Sequence, residues 1–241
     1  DTFVLCRPQF EMEAGKIVRQ LSLMVPKRAG GDIPEDPHYG LFAGAYLTAA
    51  YINKIGLKGY DFTVSDAPAR ERLDEQQLYR IFGNNVFECV AEIHPQMQRA
   101  RMLRTASVVQ DLLQRAHAFF LQVGQDSDTH SFWSEMFGEE RVVMLPSTEL
   151  LPYVQAVIIG LTEGTLSLGE VKGFLTRNNL GAREADRIVR SVSHIPLRVQ
   201  AMLPNFSRRP KKGDLFLKKT DLWPIDPQNQ TPKKSGTVGW L

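Results

Sequence analysis

Two segments of this chain are largely apolar at consecutive positions. Residues 116–123 (AHAFFLQV) and 141–145 (RVVML) give neither face of a strand to water. A strand that is hydrophobic at successive positions must be covered on both sides, which is the pattern of a parallel sheet between helices. A third run, 60–64 (YDFTV), combines aromatic and β-branched residues and stops at Ser65-Asp66-Ala67-Pro68. Helical patterns lie between these runs. Residues 41–55 (LFAGAYLTAAYINKI) read as a helix with small residues for close packing, ended by Gly56 and Gly59. Residues 74–82, 96–115 and 148–161 also read as helices, the last with Ser147 or Thr148 as its cap and Gly164 near its end. Residues 131–137 read as a short aromatic helix or turn, and 86–93 as a strand or a buried turn. Residues 2–6 form a short strand-type run, while the run 16–25 fits strand and helix equally.

This order predicts an α/β fold: a Rossmann-like, doubly wound, mainly parallel sheet with helices on both faces, spanning residues 1–165. From Ser167 the pattern changes. Residues 167–177 and 182–202 read as two helices around Asn178-Asn179-Leu180-Gly181, and Ser167 with Glu170 three residues on makes a capping box. Residues 166–203 are thus expected to be a helical extension. Residues 204–241, rich in Pro and Lys, are expected to be an extended basic tail.

The bulk numbers narrow the function classes. A net charge of +2 demands no nucleic acid or acidic membrane as a global partner, so any basic site is local. Two cysteines, Cys6 and Cys89, make neither a disulfide scaffold nor a four-thiolate zinc site and read as buried thiols. No run of about 18 apolar residues occurs, so no membrane span is expected, and the reading is cytoplasmic. GxSxG, HExxH, Walker and GxGxxG motifs are absent.

Such sheets take ligands at the carboxyl ends of their strands. Asp66, Asp126 and Pro146-Ser147 fall there. The segment Gly30-Gly31-Asp32-Ile33-Pro34-Glu35, followed by the small-residue helix and a strand ending at Asp66, resembles the GGDxPE loop of von Willebrand factor A-type domains of the bacterial intracellular kind. The resemblance spans roughly residues 16–165. It implies a protein-binding or scaffold module of a multi-protein assembly, with an AAA+ ATPase or copies of itself as partners. It also implies recognition through Mg²⁺, Mn²⁺ or Ca²⁺: Asp66 matches the strand-end Asp, Glu35 the acidic residue of the loop and Asp32 its neighbour. No DxSxS segment stands near the start, a departure from that pattern. From the residues alone, Asp32 also reads as a turn organiser, Glu35 as a helix cap and Asp66 as a solvated turn residue.

His38 shares the loop with Glu35 and is a candidate partner contact. In a rival reading, a metal-dependent hydrolase, it is the acid–base group beside Asp66 and Glu35. In the tail, Arg208, Arg209, Lys211 and Lys212 interleave with aromatics that include Trp223. This composition suits an acidic protein surface, and equally phosphate contact and base stacking on a nucleic acid.

Overall fold

A computed structural model describes residues 13–23, 35–48, 50, 52–53, 56–204 and 206. Three parallel strands form its sheet: β1 (Gly59–Ser65), β2 (Ala116–Gln122) and β3 (Val142–Met144), hydrogen-bonded in the order β1-β2-β3. Gly59 pairs with Ala116 and Ser65 with Gln122, and Phe120 to Gln122 then pair with Val142 to Met144. The central strand is the most enclosed, with Ala118, Phe119, Phe120 and Leu121 buried. That is why its sequence is apolar at consecutive positions rather than alternating. Strand order follows chain order, so the described sheet contains no reversal of direction.

In chain order the helices are α1 (Ala14–Ser22), α2 (Pro37–Phe42), α3 (Glu75–Phe82), α4 (Val86–Ile93), α5 (Arg99–Met102), α6 (Thr105–Arg115), α7 (Ser127–Phe137), α8 (Leu151–Glu163), α9 (Val171–Arg177) and α10 (Ala182–Ser191). Local chemistry sets several ends. Asp74 caps α3 by accepting from the Gln77 N–H at 2.8 Å, and Asp126 caps α7 by accepting from the Thr129 N–H at 2.7 Å. Gly164 closes α8 in the left-handed region, at φ 72°. The capping box of Ser167 and Glu170 forms as read, at the start of a 3₁₀ turn that leads into α9.

Each face of the sheet has its own core. On one face Ala118, Phe120 and Val142 meet Phe42, Tyr46, Phe82, Val108, Leu112 and Trp133 from α2, α3, α6, α7 and the turn after α2. Phe120 stacks on Trp133 with ring centroids 4.4 Å apart, and the indole N–H donates to the Ala67 carbonyl at 3.0 Å. That bond ties α7 to the loop after β1. The same face holds a buried network in which the Tyr46 hydroxyl donates to Asp111 at 2.6 Å and Arg101 binds both oxygens of that carboxylate. On the other face Phe119, Leu121 and Val143 pack under Val154, Val157, Ile158 and Leu161 of α8, with Val171, Leu175, Ala185 and Ile188 from α9 and α10. Residues 166–203, read as a helical extension, thus supply part of the cover of this face. Gln200 fastens their end to the sheet: its amide accepts from the Lys58 N–H and donates to the Lys58 carbonyl, and its oxygen lies 2.9 Å from His117 Nε2.

Several expected elements are corrected. The helix expected over 41–55 runs as α2 and then as one π turn, Ala43–Leu47, before Thr48 turns extended. Gly44 sits within this turn because a Cβ there would lie 3.2 Å from an Asp61 carboxylate oxygen on β1. Residues 86–93 are helical: Val86 and Val90, four apart, are both fully buried, which is a helix face and not a strand. The helix expected over 182–202 stops at Ser191, since Pro196 disfavours helical backbone at Ile195. The ambiguous run 16–25 contributes to α1, which buries none of its residues and exposes Ile17, Val18 and Leu21. Residues 2–6 and those beyond 206 lie outside the described residues.

Candidate interaction site at the carboxyl ends of the strands

The loop carrying Glu35 and the turn carrying Asp66 meet at the end of β1. The Glu35 N–H donates to the Pro68 carbonyl at 2.9 Å, and Glu35 forms an isolated parallel bridge with Ala69. Asp66 is exposed, while its carbonyl accepts from the Thr129 hydroxyl at 3.3 Å. Next to this contact Arg70 pairs with Asp36 at 3.4 Å. His38 lies underneath at 0% exposure, with Nε2 3.9 Å from Asp36 and neither ring nitrogen hydrogen-bonded. Burial pushes the His38 pKa down to about 4, against the pull of Asp36 and with a smaller push from Arg70. The ring is therefore neutral at pH 7. As placed, it is an interior group and presents no surface to a partner or substrate.

Asp32, Arg208, Arg209, Lys211, Lys212 and Trp223 lie outside the described residues. Glu35 and Asp66 offer oxygen donors of the kind hard cations take. Among the described residues, however, no group of three or more His, Cys, Asp or Glu side chains is placed to hold a metal ion. The described residues alone do not make a cation cage.

A concavity lies along β3. One part encloses about 570 Å³ and is lined by His130, Glu139, Glu140, Val142, Met144, Arg190, Ser191 and His194. A second part, of about 330 Å³, is lined by Gly124, Gln125, Met144, Leu145, Pro146, Arg187, Arg190 and Ser191. Met144, Arg190 and Ser191 line both, so the two form one open groove. The fold positions each wall. The carboxyl ends of β2 and β3 supply Gly124, Gln125 and Met144 to Pro146. The start of α7 supplies His130, the 3₁₀ turn Glu139–Arg141 supplies the carboxylates, and α10 with the turn after it supplies the basic groups.

Each histidine donates through one ring nitrogen. The Gln122 side chain donates from Nε2 to the Asp126 carbonyl at 2.7 Å, so its oxygen faces His130 Nδ1 at 3.2 Å. An amide oxygen only accepts, so Nδ1 donates. His194 donates from Nε2 to the Val142 carbonyl at 2.8 Å. A guanidinium of Arg187 donates to the Pro146 carbonyl, whereas Arg190 has no ion-pair partner among the described residues. The groove therefore has Arg187 at one end, carboxylates and imidazoles at the other, and Arg190 with Met144 at the junction.

Sequence reasoning singled out Pro146 and the acidic loop before His130 as strand-end features, but not the groove. Its walls come from segments spread between residues 124 and 194. The one signal in the sequence was the arginine spacing of α10, Arg183, Arg187 and Arg190, opposite its apolar stripe of Ala185, Ile188 and Val192. Among the described residues no helix is long and apolar enough to cross a membrane. Comparison with protein-family models, curated proteins and solved structures found no match to this chain.

Proposed function

We propose that this chain is a protein-binding module of a multi-protein assembly, built on a Rossmann-like sheet and recognising its partner at the strand ends. One observation carries the reading: the open groove beside β3, with Arg187 at one end, Glu139 and Glu140 at the other, and Arg190 and Met144 between them. Protein interfaces combine an apolar centre with a charged and polar rim, and charge complementarity sets register and partner choice. Met144, exposed at 36%, is a flexible and polarizable side chain suited to a contact surface.

An AAA+ ATPase or a second copy of the chain is the partner class implied by the resemblance to von Willebrand factor A-type domains. In the metal-assisted form of this reading, Asp66, Glu35 and Asp32 hold Mg²⁺, Mn²⁺ or Ca²⁺. The bridge between Glu35 and Ala69 supports it by bringing two of the three carboxylate-bearing segments together. No step of the groove recognition depends on a metal.

The test is co-purification of the tagged full chain from its native cells, compared with a Ser191→Trp variant whose indole fills the groove where its two parts join. A partner retained by the wild type and lost by the variant, with unchanged circular dichroism and urea midpoint, is the expected result. A partner set identical for both proteins refutes the assignment of recognition to this groove.

A further inference from the structure

The groove's asymmetry also names the chemistry of the segment it takes, an inference that rests on the protein-binding reading. We infer that the arginine end receives the carboxylate side chains of an extended acidic segment of a partner protein, with an apolar residue seated on Met144 and Leu145. Arg187 and Arg190 line this part and no carboxylate does, while Arg190 also borders the part that holds Glu139 and Glu140. Among the described residues Arg190 has no ion pair to give up on binding. Arg187 is held over the end of β3 by the Pro146 carbonyl, so less of its rotational freedom is lost when a ligand arrives. Planar guanidinium forks match carboxylates through paired N–H donors.

The opposite wall has room for a backbone. Gly124 stands at φ +80°, and no atom lies within 4 Å of where its Cβ would be. An incoming chain meets bare main chain there, at a position where an L side chain would be strained. The far end argues against a nucleic acid as occupant. A phosphate backbone running the length of the groove would set negative charge against Glu139 and Glu140. A polypeptide can change sign along its length, acidic beside Pro146 and neutral or basic beside Glu140.

The test measures fluorescence anisotropy of the full chain with a labelled, end-blocked Glu-Glu-Leu-Leu peptide. The Gln-Gln-Leu-Leu and Lys-Lys-Leu-Leu versions, inorganic phosphate and a single-stranded oligonucleotide serve as comparison probes. The Glu peptide is expected to bind the wild type and to weaken by about tenfold or more in Arg187→Glu/Arg190→Glu, the scale of losing charge-assisted hydrogen bonds. The Lys peptide is expected to bind that double variant better than the wild type. Both arginines are exposed, so the variant is expected to keep the wild-type urea midpoint.

No binding of the Glu peptide, equal binding of the Gln peptide, unchanged binding by the double variant, or tighter binding of phosphate or the oligonucleotide would each overturn the inference. If Ser191→Trp still sheds the co-purified partner while the arginine variant keeps it, the acidic-segment inference fails and the protein-binding reading stands. If neither variant sheds a partner, both fail.

Discussion

Replacing Asp61 by Asn should leave stability unchanged near pH 4 and raise it above pH 6. Asp61 lies on β1 between Tyr60 and Phe62, which belong to the core under α8, so its carboxylate points to the opposite face, against Gly44. Burial pushes its pKa from 3.8 up to about 6, partly offset by a hydrogen bond from Thr63. A raised carboxyl pKa means the folded state holds the proton more tightly, so Asp61 favours folding at low pH. Its contribution is lost as pH rises from about 4 through about 6. Two units at about 1.4 kcal/mol each give ~3 kcal/mol. His38 has the opposite sign. Its pKa falls from 6.5 to about 4 on folding, so its contribution is present above 6.5 and is lost as pH falls toward 4, again by ~3 kcal/mol. Between pH 4 and 6 the two slopes nearly cancel. Asp61→Asn keeps the shape, removes the titration and leaves His38 alone. The assay is urea unfolding of both proteins from pH 4 to pH 8. The variant should match the wild type near pH 4, gain up to ~3 kcal/mol on it above pH 6, and show a stability that rises with pH between 4 and 6.5. A constant difference between the two proteins across this range would refute the assignment of a buried, proton-retaining carboxyl to Asp61.

Further outcomes follow from single contacts. Gln200→Ala leaves the Lys58 N–H, the Lys58 carbonyl and the His117 ring without the partner that satisfies them, and should lower unfolding free energy by ~2–3 kcal/mol in urea titration. Trp133→Phe keeps an aromatic ring over Phe120 but removes the donor to the Ala67 carbonyl, for a loss of ~1–2 kcal/mol in thermal unfolding. In the metal-assisted reading, calorimetric titration of Mg²⁺, Mn²⁺ and Ca²⁺ into the full chain should give heat that disappears in Asp66→Ala. Equal heats in both proteins would remove Asp66 from any cation site.

How far the sequence could be read depended on the length scale of the signal. The strands were legible because parallel strands covered on both faces must be apolar throughout, and Phe119, Phe120 and Leu121 are buried on alternate faces for that reason. The segment 86–93 was misread because Val and Phe suit strands, while the decisive fact, the burial of Val86 and Val90 on one face, depends on the tertiary partner. The early end of α2 was hidden by good helix formers after Leu47, where Thr48 instead takes extended backbone and its hydroxyl bonds the Ala43 carbonyl. At the site, the meeting of the Glu35 loop with the Asp66 turn was visible as strand-end spacing. The burial of His38 was not, because exposure depends on what the fold lays over a residue. The groove was hidden for a related reason. His130, Met144 and Arg190 are ordinary surface residues in their own segments and line one groove only when β3 and α10 are brought side by side.

The most direct test of the proposed recognition site is hydrogen–deuterium exchange of the full chain, free and bound to a partner that co-purifies with it. The account predicts new protection over residues 124–126 and 142–146, the strand ends and loop that line the groove, with slower exchange over 187–194. Protection confined to other segments, with these three unchanged, would contradict it.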